Sequence, residues 1–186
     1  RIVALSDFHG WLMPLEPHGF ARYYGGIANL ARMLAHKEKL APNDSLVIDN
    51  GDMWTGPTES TLLRGESVVA AAHALGVAAV NLGNHEFDFG MEILRTRTKQ
   101  ASFPFLGAIL VDAATRAHPD FVKPWTIVER SGVKVGVLGL CFVDTPKTTQ
   151  AKYVTGLEFH PYAPVLEKFV PELSRAGAEV IVVLFH

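Results

Sequence analysis

The chain has 186 residues, of which 48% are hydrophobic and 19% are charged. This length and composition favour one folded domain with a sizeable core over a disordered chain. The formal net charge of -2, without a block of like charges, disfavours nucleic-acid binding as the main role. No apolar run is long enough to span a membrane.

Apolar runs that are typical of buried strands alternate with helical patterns over the first hundred residues. The predicted elements in chain order are a strand at 2–6, a helix from Gly26 until Pro42, a strand at 45–50, a helix at 66–75 capped by Gly76, a strand at 78–82, a helix at 91–100 and an apolar segment at 103–110. This alternation predicts an α/β fold whose sheet is parallel at least in its first part.

The pattern changes in the second half of the chain. Residues 125–129 and 134–140 are strand-like and are separated by a short turn with Gly132, which predicts a hairpin and therefore a mixed sheet. A helix is expected at 163–176, and a last strand at 180–185 ends directly before His186. We expect one domain that covers residues 1–186.

Residues that can bind metal ions follow four of the predicted strands. They are Asp7 and His9 after the first strand, Asp52 after the second, Asn84, His85, Glu86 and Asp88 after the third, and His186 after the last. In open α/β sheets, ligands bind outside the carboxyl ends of the strands. The four strand ends are therefore expected to form one site.

Carboxylates and imidazoles without a thiolate suit two divalent ions such as Mn, Zn, Fe, Co or Mg. In an extended segment, residues two apart face the same side, so Asp7 and His9 are expected to reach one ion. The two carboxylate oxygens of Asp52 allow it to bridge two ions. The glycines at the strand ends permit the sharp turns that such a site needs.

Each of these motifs also has a purely structural explanation. The alternatives are a chance pair for Asp7 and His9, a turn for Asp52, a left-handed turn residue for Asn84, a helix N-cap for Asp88 and a disordered terminus for His186. The combination is more specific than any part, because all these residue types occur in order at successive strand ends.

This combination resembles the sequence blocks of the calcineurin-like metallophosphoesterases. The matching blocks are residues 7–10 (DFHG), 51–52 (GD) and 83–86 (GNHE). The longer stretch GNHEFDFG, together with Gly25-Gly26 and the ALG at 74–76, is similar to the 5'-nucleotidase branch. The resemblance implies a four-layer α-β-β-α sandwich, in which two mixed sheets are flanked by helices.

The resemblance also implies which residues hold the two metal ions. Asp7, His9 and Asp52 would bind the first ion, while Asp52, Asn84 and His186 would bind the second. Two such ions can activate a bridging hydroxide and bind the phosphoryl oxygens for in-line attack.

By the same resemblance, His85 is a catalytic group and not a metal ligand. Paired with Asp88, it would stabilise the transition state or protonate the leaving group. Glu86 is assigned to a structural role.

These expectations favour a dinuclear-metal-dependent phosphoester hydrolase that acts on 5'-nucleotides. Alternatives with the same fold are hydrolases of cyclic nucleotides, UDP-sugars or a sulfur ester, and a different class is a non-catalytic binding module. The resemblance implies a periplasmic, extracellular or cell-surface protein.

Members of the resembled family carry a further Gly-His-x-His or Gly-His-x-Gln block and a separate C-terminal domain that binds the nucleotide. Residues 1–186 contain neither. We therefore expect a catalytic domain that is cut short before its last ligand block, with the substrate-binding domain missing.

The other histidines, Trp54 and Cys141 are given structural explanations. Helical positions are expected for His36 and His73, loops for His118 and His160, the surface for His18, and core packing for Trp54 and Cys141.

Overall fold

The computed structural model describes residues 1–15, 24–37 and 44–186. The strands in these ranges are β1 (Ile2–Leu5), β2 (Leu46–Asp49), β3 (Val77–Asn81), β4 (Phe105–Leu106), β5 (Leu110–Asp112), β6 (Trp125–Arg130), β7 (Val133–Leu140), β8 (Leu157–Phe159) and β9 (Val180–Phe185). The α-helices are α1 (Ile27–Arg32), α2 (Thr58–Thr61), α3 (Glu66–Leu75), α4 (Met91–Gln100), α5 (Thr145–Thr148) and α6 (Tyr162–Arg175). A π-helical turn, Met33–Lys37, follows α1, and short 3₁₀ helices form at His85–Phe87 and Ala151–Tyr153.

The first sheet has the strand order β1-β2-β3-β4, and every neighbouring pair is parallel. In the described residues this sheet is therefore parallel, as the alternation of strands and helices predicted, whereas the resemblance implied that both sheets are mixed. A helical connection joins β2 to β3 and another joins β3 to β4. Each connection returns the chain to the end of the sheet at which the previous strand began, so the next strand runs in the same direction. All four carboxyl ends consequently lie at one edge of this sheet.

The second sheet has the order β6-β7-β9 and is mixed, as expected. Strands β6 and β7 form the predicted hairpin, whose two turn residues, Ser131 and Gly132, both have positive φ angles of 51° and 77°. Strand β9 runs parallel to β7. A two-stranded antiparallel sheet of β5 and β8, which the sequence did not predict, completes the described strands.

The two larger sheets pack face to face and are covered by helices, which confirms the α-β-β-α sandwich. Side chains of both sheets form one buried cluster between them, which contains Leu46, Ile48, Ala79, Leu106, Val135, Val137 and Leu184. Burying one such Leu or Ile contributes about 1.5–3 kcal/mol. A Cβ atom at Gly139 of β7 would lie 2.4 Å from the Leu106 Cβ, so only glycine permits this approach.

The outer faces of the sheets are covered by α3 and α4 on one side and by α6 on the other. Val69 and Leu94 on the first two helices and Leu173 on α6 are fully buried in one continuous core. Gly76 caps α3 in the left-handed conformation, as predicted (φ 71°, ψ 32°). Pro42, the predicted end of the first helix, lies outside the described residues.

The residues that were assigned to packing lie where expected. Trp54 and Cys141 are fully buried, and burial raises the pKa of the Cys141 thiol to about 12. The other assignments hold for His36 and His73 in helical segments and for His118 and His160 between regular elements, whereas His18 lies outside the described residues. In the described ranges, none of the helices has the length and hydrophobicity that crossing a bilayer requires.

Glu86 holds together the loops that follow β2 and β3. Its side chain is 1% exposed, and its carboxylate accepts the backbone N–H groups of Asp52 at 2.9 Å, Met53 at 2.8 Å and Gly83 at 2.6 Å. Asp52 and Met53 lie in the loop after β2, and Gly83 lies in the loop after β3. One side chain therefore sets the position of the two loops relative to each other. The structural role predicted for Glu86 agrees with these contacts.

Replacing Glu86 by alanine should lower the free energy of unfolding by about 3 kcal/mol, because three buried N–H groups lose their acceptor. Urea denaturation of the metal-free chain measures this loss. The control is Glu129→Ala, since Glu129 is an exposed residue of β6. Equal losses in the two variants would contradict the structural role of Glu86.

Candidate metal centre

The Asp52 carboxylate lies at the centre of the side chains that the sequence analysis singled out. Its side chain is only 5% exposed, and Oδ2 lies 3.8 Å from Nε2 of His9 and 3.2 Å from Nε2 of His186. The second oxygen, Oδ1, accepts the backbone N–H of His85 at 2.9 Å. Residues that follow three different strands therefore meet at one buried carboxylate.

Asp7 and His9 reach this carboxylate by a route that the sequence did not predict. We expected an extended segment, but the φ angles of Asp7 and His9 are 54° and 48°, in the left-handed region. Their N–H groups donate to the carbonyls of Gly51 at 3.0 Å and Asp52 at 2.9 Å, and these bonds hold the loop in its turned conformation. The two side chains nevertheless converge, with Nε2 of His9 3.8 Å from Oδ1 of Asp7.

The ring of His9 is oriented by its other nitrogen. Nδ1 lies 3.1 Å from the carbonyl oxygen of Thr55, which can only accept a hydrogen bond, so Nδ1 carries the proton. Nε2 then faces the two carboxylates and is the ring nitrogen left to bind an ion. A backbone carbonyl that fixes the tautomer in this way is the usual support of a metal-binding histidine.

His186 has the same arrangement. Its Nδ1 donates to the carbonyl of Asn50 at 3.0 Å, and its Nε2 faces Asp52. The hydrogen bond to Asp52 raises the pKa of His186 to about 9 in the metal-free protein. Burial acts to raise the pKa of Asp52, but the hydrogen bonds from His186 and from the His85 N–H outweigh it, so the pKa is lowered. The terminal histidine is thus fixed in the site, and the alternative of a disordered residue is wrong.

His85 and Asp88 form the pair expected from the sequence. Nδ1 of His85 donates to Oδ2 of Asp88 at 2.6 Å, and Oδ1 of Asp88 accepts the hydroxyl of Thr149 at 3.3 Å. Burial lowers the pKa of His85, but the bond to Asp88 and the charge of Asp52 raise it by more. The alternative role of Asp88 as a helix N-cap is wrong, because Gly90 occupies that position of α4.

Asn84 is half-buried and lies between β3 and the 3₁₀ helix at His85–Phe87. Its φ and ψ angles of -79° and -29° are right-handed, which removes the alternative of a left-handed turn residue. Its side-chain amide forms no hydrogen bond to any residue in the described ranges. Direct contact between Asn84 and the other ligands stays a prediction.

Among the residues that the structure describes, two groups of side chains are close enough to bind metal ions. One potential ligand atom each of His9, Asp52 and His85 lies within 4.8 Å of the other two, and the same holds for Asp7, Asp52 and His186. Asp52 belongs to both groups, as a bridging ligand would. The division differs from the one implied by the resemblance, which pairs Asp7 with His9 and excludes His85.

The sequence analysis did not identify the residues that hold the potential metal ligands in place. The carbonyls of Asn50 and Thr55 orient two histidines, but a backbone acceptor has no signature in a sequence. Asp49, at the end of β2, is also buried; its carboxylate accepts the N–H of Gly51 at 2.8 Å, and burial raises its pKa to about 6. In the sequence, only its place three residues before Asp52 could have indicated that Asp49 lies near the site.

Burial raises the pKa of Glu86 to about 8, and the negative charge of Asp52 acts in the same direction, while the three N–H donors lower it. Cations bound next to Asp52 would favour the ionised form of both carboxyl groups. The donor set of carboxylates, neutral imidazole nitrogens and one free amide fits hard or borderline divalent ions.

Comparison with known proteins gives consistent matches over the whole chain. The 5'-nucleotidase of Vibrio cholerae is 32% identical over 188 residues, which cover 100% of this chain and 33% of that protein. The 2',3'-cyclic-nucleotide 2'-phosphodiesterase/3'-nucleotidase of Salmonella typhimurium is 25% identical over 202 residues, which cover 100% of this chain and 31% of that protein. This chain thus spans about a third of the length of these curated relatives.

Among solved structures, the 5'-nucleotidase precursor of Thermus thermophilus superposes with a TM-score of 0.88 at 29% identity. The superposition covers 100% of this chain and 36% of that one. The family model described as calcineurin-like phosphoesterase matches residues 1–186. The chain therefore belongs to the calcineurin-like phosphoesterase family.

Proposed function

We propose that this chain carries the catalytic centre of a phosphoester hydrolase that uses two divalent metal ions and releases phosphate from 5'-nucleotides. The observation that carries the proposal is the buried Asp52 carboxylate, which is shared by two groups of potential ligands. Membership of the phosphoesterase family and the likeness to 5'-nucleotidases support the same reaction.

We assign Asp7, His9 and Asp52 to the first ion and Asp52, Asn84 and His186 to the second. The 3.8 Å distances from Nε2 of His9 to the carboxylates of Asp7 and Asp52, and the 3.2 Å distance from Nε2 of His186 to Asp52, support this assignment. Bound divalent ions lower the pKa of water and neutralise negative charge on phosphoryl oxygens. The residues of the chain fix the distance between the ligands and exclude water from the underside of Asp52, which is 4% exposed.

His85 is proposed to hold a proton next to the substrate. With Nδ1 bonded to Asp88, the free nitrogen of the imidazolium is Nε2, and the ring stacks edge-to-face on His9 with centroids 5.0 Å apart. An imidazolium in this place can stabilise negative charge on the phosphate or protonate the leaving oxygen. Asp88 favours the protonated form, and the hydroxyl of Thr149 keeps Asp88 in position.

The substrate could also be a cyclic nucleotide, since one relative is named for that activity. A panel of AMP, 3'-AMP, 2',3'-cyclic AMP, a UDP-sugar and a sulfur ester, assayed with the natural protein that contains this chain, separates these substrates. The proposal requires that AMP gives the highest kcat/KM. A non-catalytic binding module would turn over none of them, although the paired His85 and Asp88 have no evident use in such a module.

Export from the cytoplasm, implied by the resemblance, stays a proposal. The similarity to the 5'-nucleotidase precursor of Thermus thermophilus supports it. Fractionation of cells that produce the natural protein, with a cytoplasmic enzyme as the marker, tests it; recovery with that marker would contradict it.

Substitution of Asp52 by asparagine should reduce the metal content from two ions per chain to one or none and lower hydrolysis at least about 10³-fold, because the shared ligand loses its charge. Elemental analysis after equilibration with Mn²⁺ and desalting measures the first effect, and phosphate release from AMP measures the second. The matched control is Asp112→Asn, since the carboxylate of Asp112 accepts hydrogen bonds from the nearby Ala114 and Thr115. Full activity in Asp52→Asn would refute the proposal.

Substitution of His85 by alanine should lower kcat by about 10²- to 10⁴-fold while both ions stay bound, which separates a proton donor from a metal ligand. Asp88→Asn should lower the pKa of His85, because the carboxylate raises it. Activity that requires protonated His85 would then be lost at a lower pH than in the unmodified protein. Loss of an ion in His85→Ala would instead make His85 a ligand.

A further inference from the structure

The proposed metal ligands come from both sheets of the sandwich, so their spacing depends on how the sheets are joined. Asp52 follows β2 of the first sheet, whereas His186 follows β9 of the second. Apolar packing between sheets is not directional and does not by itself fix a position to a few tenths of an ångström. A directional connection is therefore needed where the two strand ends meet.

Asn50 supplies this connection through both its side chain and its backbone. Its Nδ2 donates to the carbonyl of Phe185, the last residue of β9, at 2.8 Å. Its own carbonyl accepts the Nδ1–H of His186 at 3.0 Å, and its N–H donates to the carbonyl of Leu5 at 2.8 Å. One residue thus joins β1, β2 and β9, two positions before Asp52.

Asn81 supports Asn50 from beneath. It is the last residue of β3 and is fully buried. Its Nδ2 donates to the carbonyl of Leu140 at 3.0 Å and lies 3.4 Å from both oxygens of Asn50. The same Leu140 carbonyl accepts the backbone N–H of His186 at 3.1 Å. The amide of Asn81 therefore connects β3 and β7 at the point from which His186 projects.

We propose that Asn50, supported by Asn81, is a positioning residue that holds His186 against Asp52 across the boundary between the two sheets. This inference rests on the proposed metal-dependent function, because it gives His186 the role of a ligand. Neither asparagine side chain touches a reacting atom; both act through the place of His186, whose tautomer is set by the backbone carbonyl of Asn50. Loss of such a supporting partner typically weakens metal affinity by about 10- to 100-fold.

A positioning role of Asn50 and a role in general stability predict different effects on the affinities of the two ions. If Asn50 only stabilises the fold, its removal should weaken both ions alike or neither. If it positions His186, its removal should weaken the ion that His186 binds and spare the ion held by Asp7 and His9. The ratio of the two affinities is therefore the informative quantity.

The test compares Asn50→Ala with the control Asn29→Ala in the 186-residue chain. Asn29 on α1 also donates from Nδ2 to a backbone carbonyl, that of Gly25, at the same distance of 2.8 Å. Calorimetric titration of each metal-free variant with Mn²⁺ gives the two affinities. We expect one of the two affinities to fall about 10- to 100-fold in Asn50→Ala and the other to change less than about twofold.

A second readout does not depend on metal. NMR of the chain in chelator follows the Nδ1–H proton of His186, whose exchange with water is slowed by the bond to the Asn50 carbonyl. Asn50→Ala keeps this backbone carbonyl but loses the Nδ2 bond to Phe185 that holds the end of β9 beside it. We therefore expect faster exchange in Asn50→Ala and no change in Asn29→Ala. If the alanine variant does not fold, Asn50→Gln, which displaces the amide by one methylene, replaces it with the same expected losses.

The outcomes separate the two proposals. Equal weakening of both ions, or unchanged affinities together with an unchanged Nδ1–H signal, would overturn the positioning role of Asn50. If the natural protein that contains this chain binds no ion, the proposed function fails, whereas faster Nδ1–H exchange in Asn50→Ala would still support the positioning of His186 by Asn50.

Discussion

The buried carboxylate of Asp52 is the constraint on which the rest of the site depends. An ionised group at 4% exposure needs positive charge and hydrogen-bond donors around it, and a bare carboxylate there would be strongly destabilising. The protein surrounds it with the imidazoles of His9 and His186 and the backbone N–H of His85. The hydrogen bonds from His186 and from the His85 N–H keep the pKa of Asp52 below its usual value despite burial. The same electrostatic demand that selects these partners also makes the position suitable for divalent cations.

The loops that place these side chains around Asp52 have a strained backbone. Asp7, His9 and Asp52 all have φ angles near +50°, each of which costs about 1 kcal/mol or more for a residue other than glycine. The strain is offset by the hydrogen bonds that join the loops to each other and by the Glu86 carboxylate, which accepts three backbone N–H groups. Such strain is maintained only where surrounding contacts over-determine the conformation, which these loops satisfy.

The sequence predicted the helices α1, α3, α4 and α6, most strands and the grouping of polar residues at strand ends, because periodicity and turn residues are local signals. It did not predict the one-turn helices α2 and α5. It predicted the wrong backbone for Asp7 and His9, since nothing local distinguishes an extended Asp-x-His from a left-handed one. The supporting carbonyls of Asn50 and Thr55 were invisible because every residue has a carbonyl. The buried amide of Asn81 was missed for a related reason: its partners are brought to it only by the packing of one sheet on the other.

The position of His186 links the chemistry of the site to the architecture of the sandwich. Its Nε2 faces the same Asp52 oxygen that faces His9, so a cation bound there must replace the proton that the raised pKa places on His186. Ion binding is consequently coupled to protonation, and both are coupled to the distance between β2 and β9. A fold with all its ligands on one sheet would lack this coupling. Here the short polar connection through Asn50 and Asn81 sets the separation at which a cation would take the place of the proton.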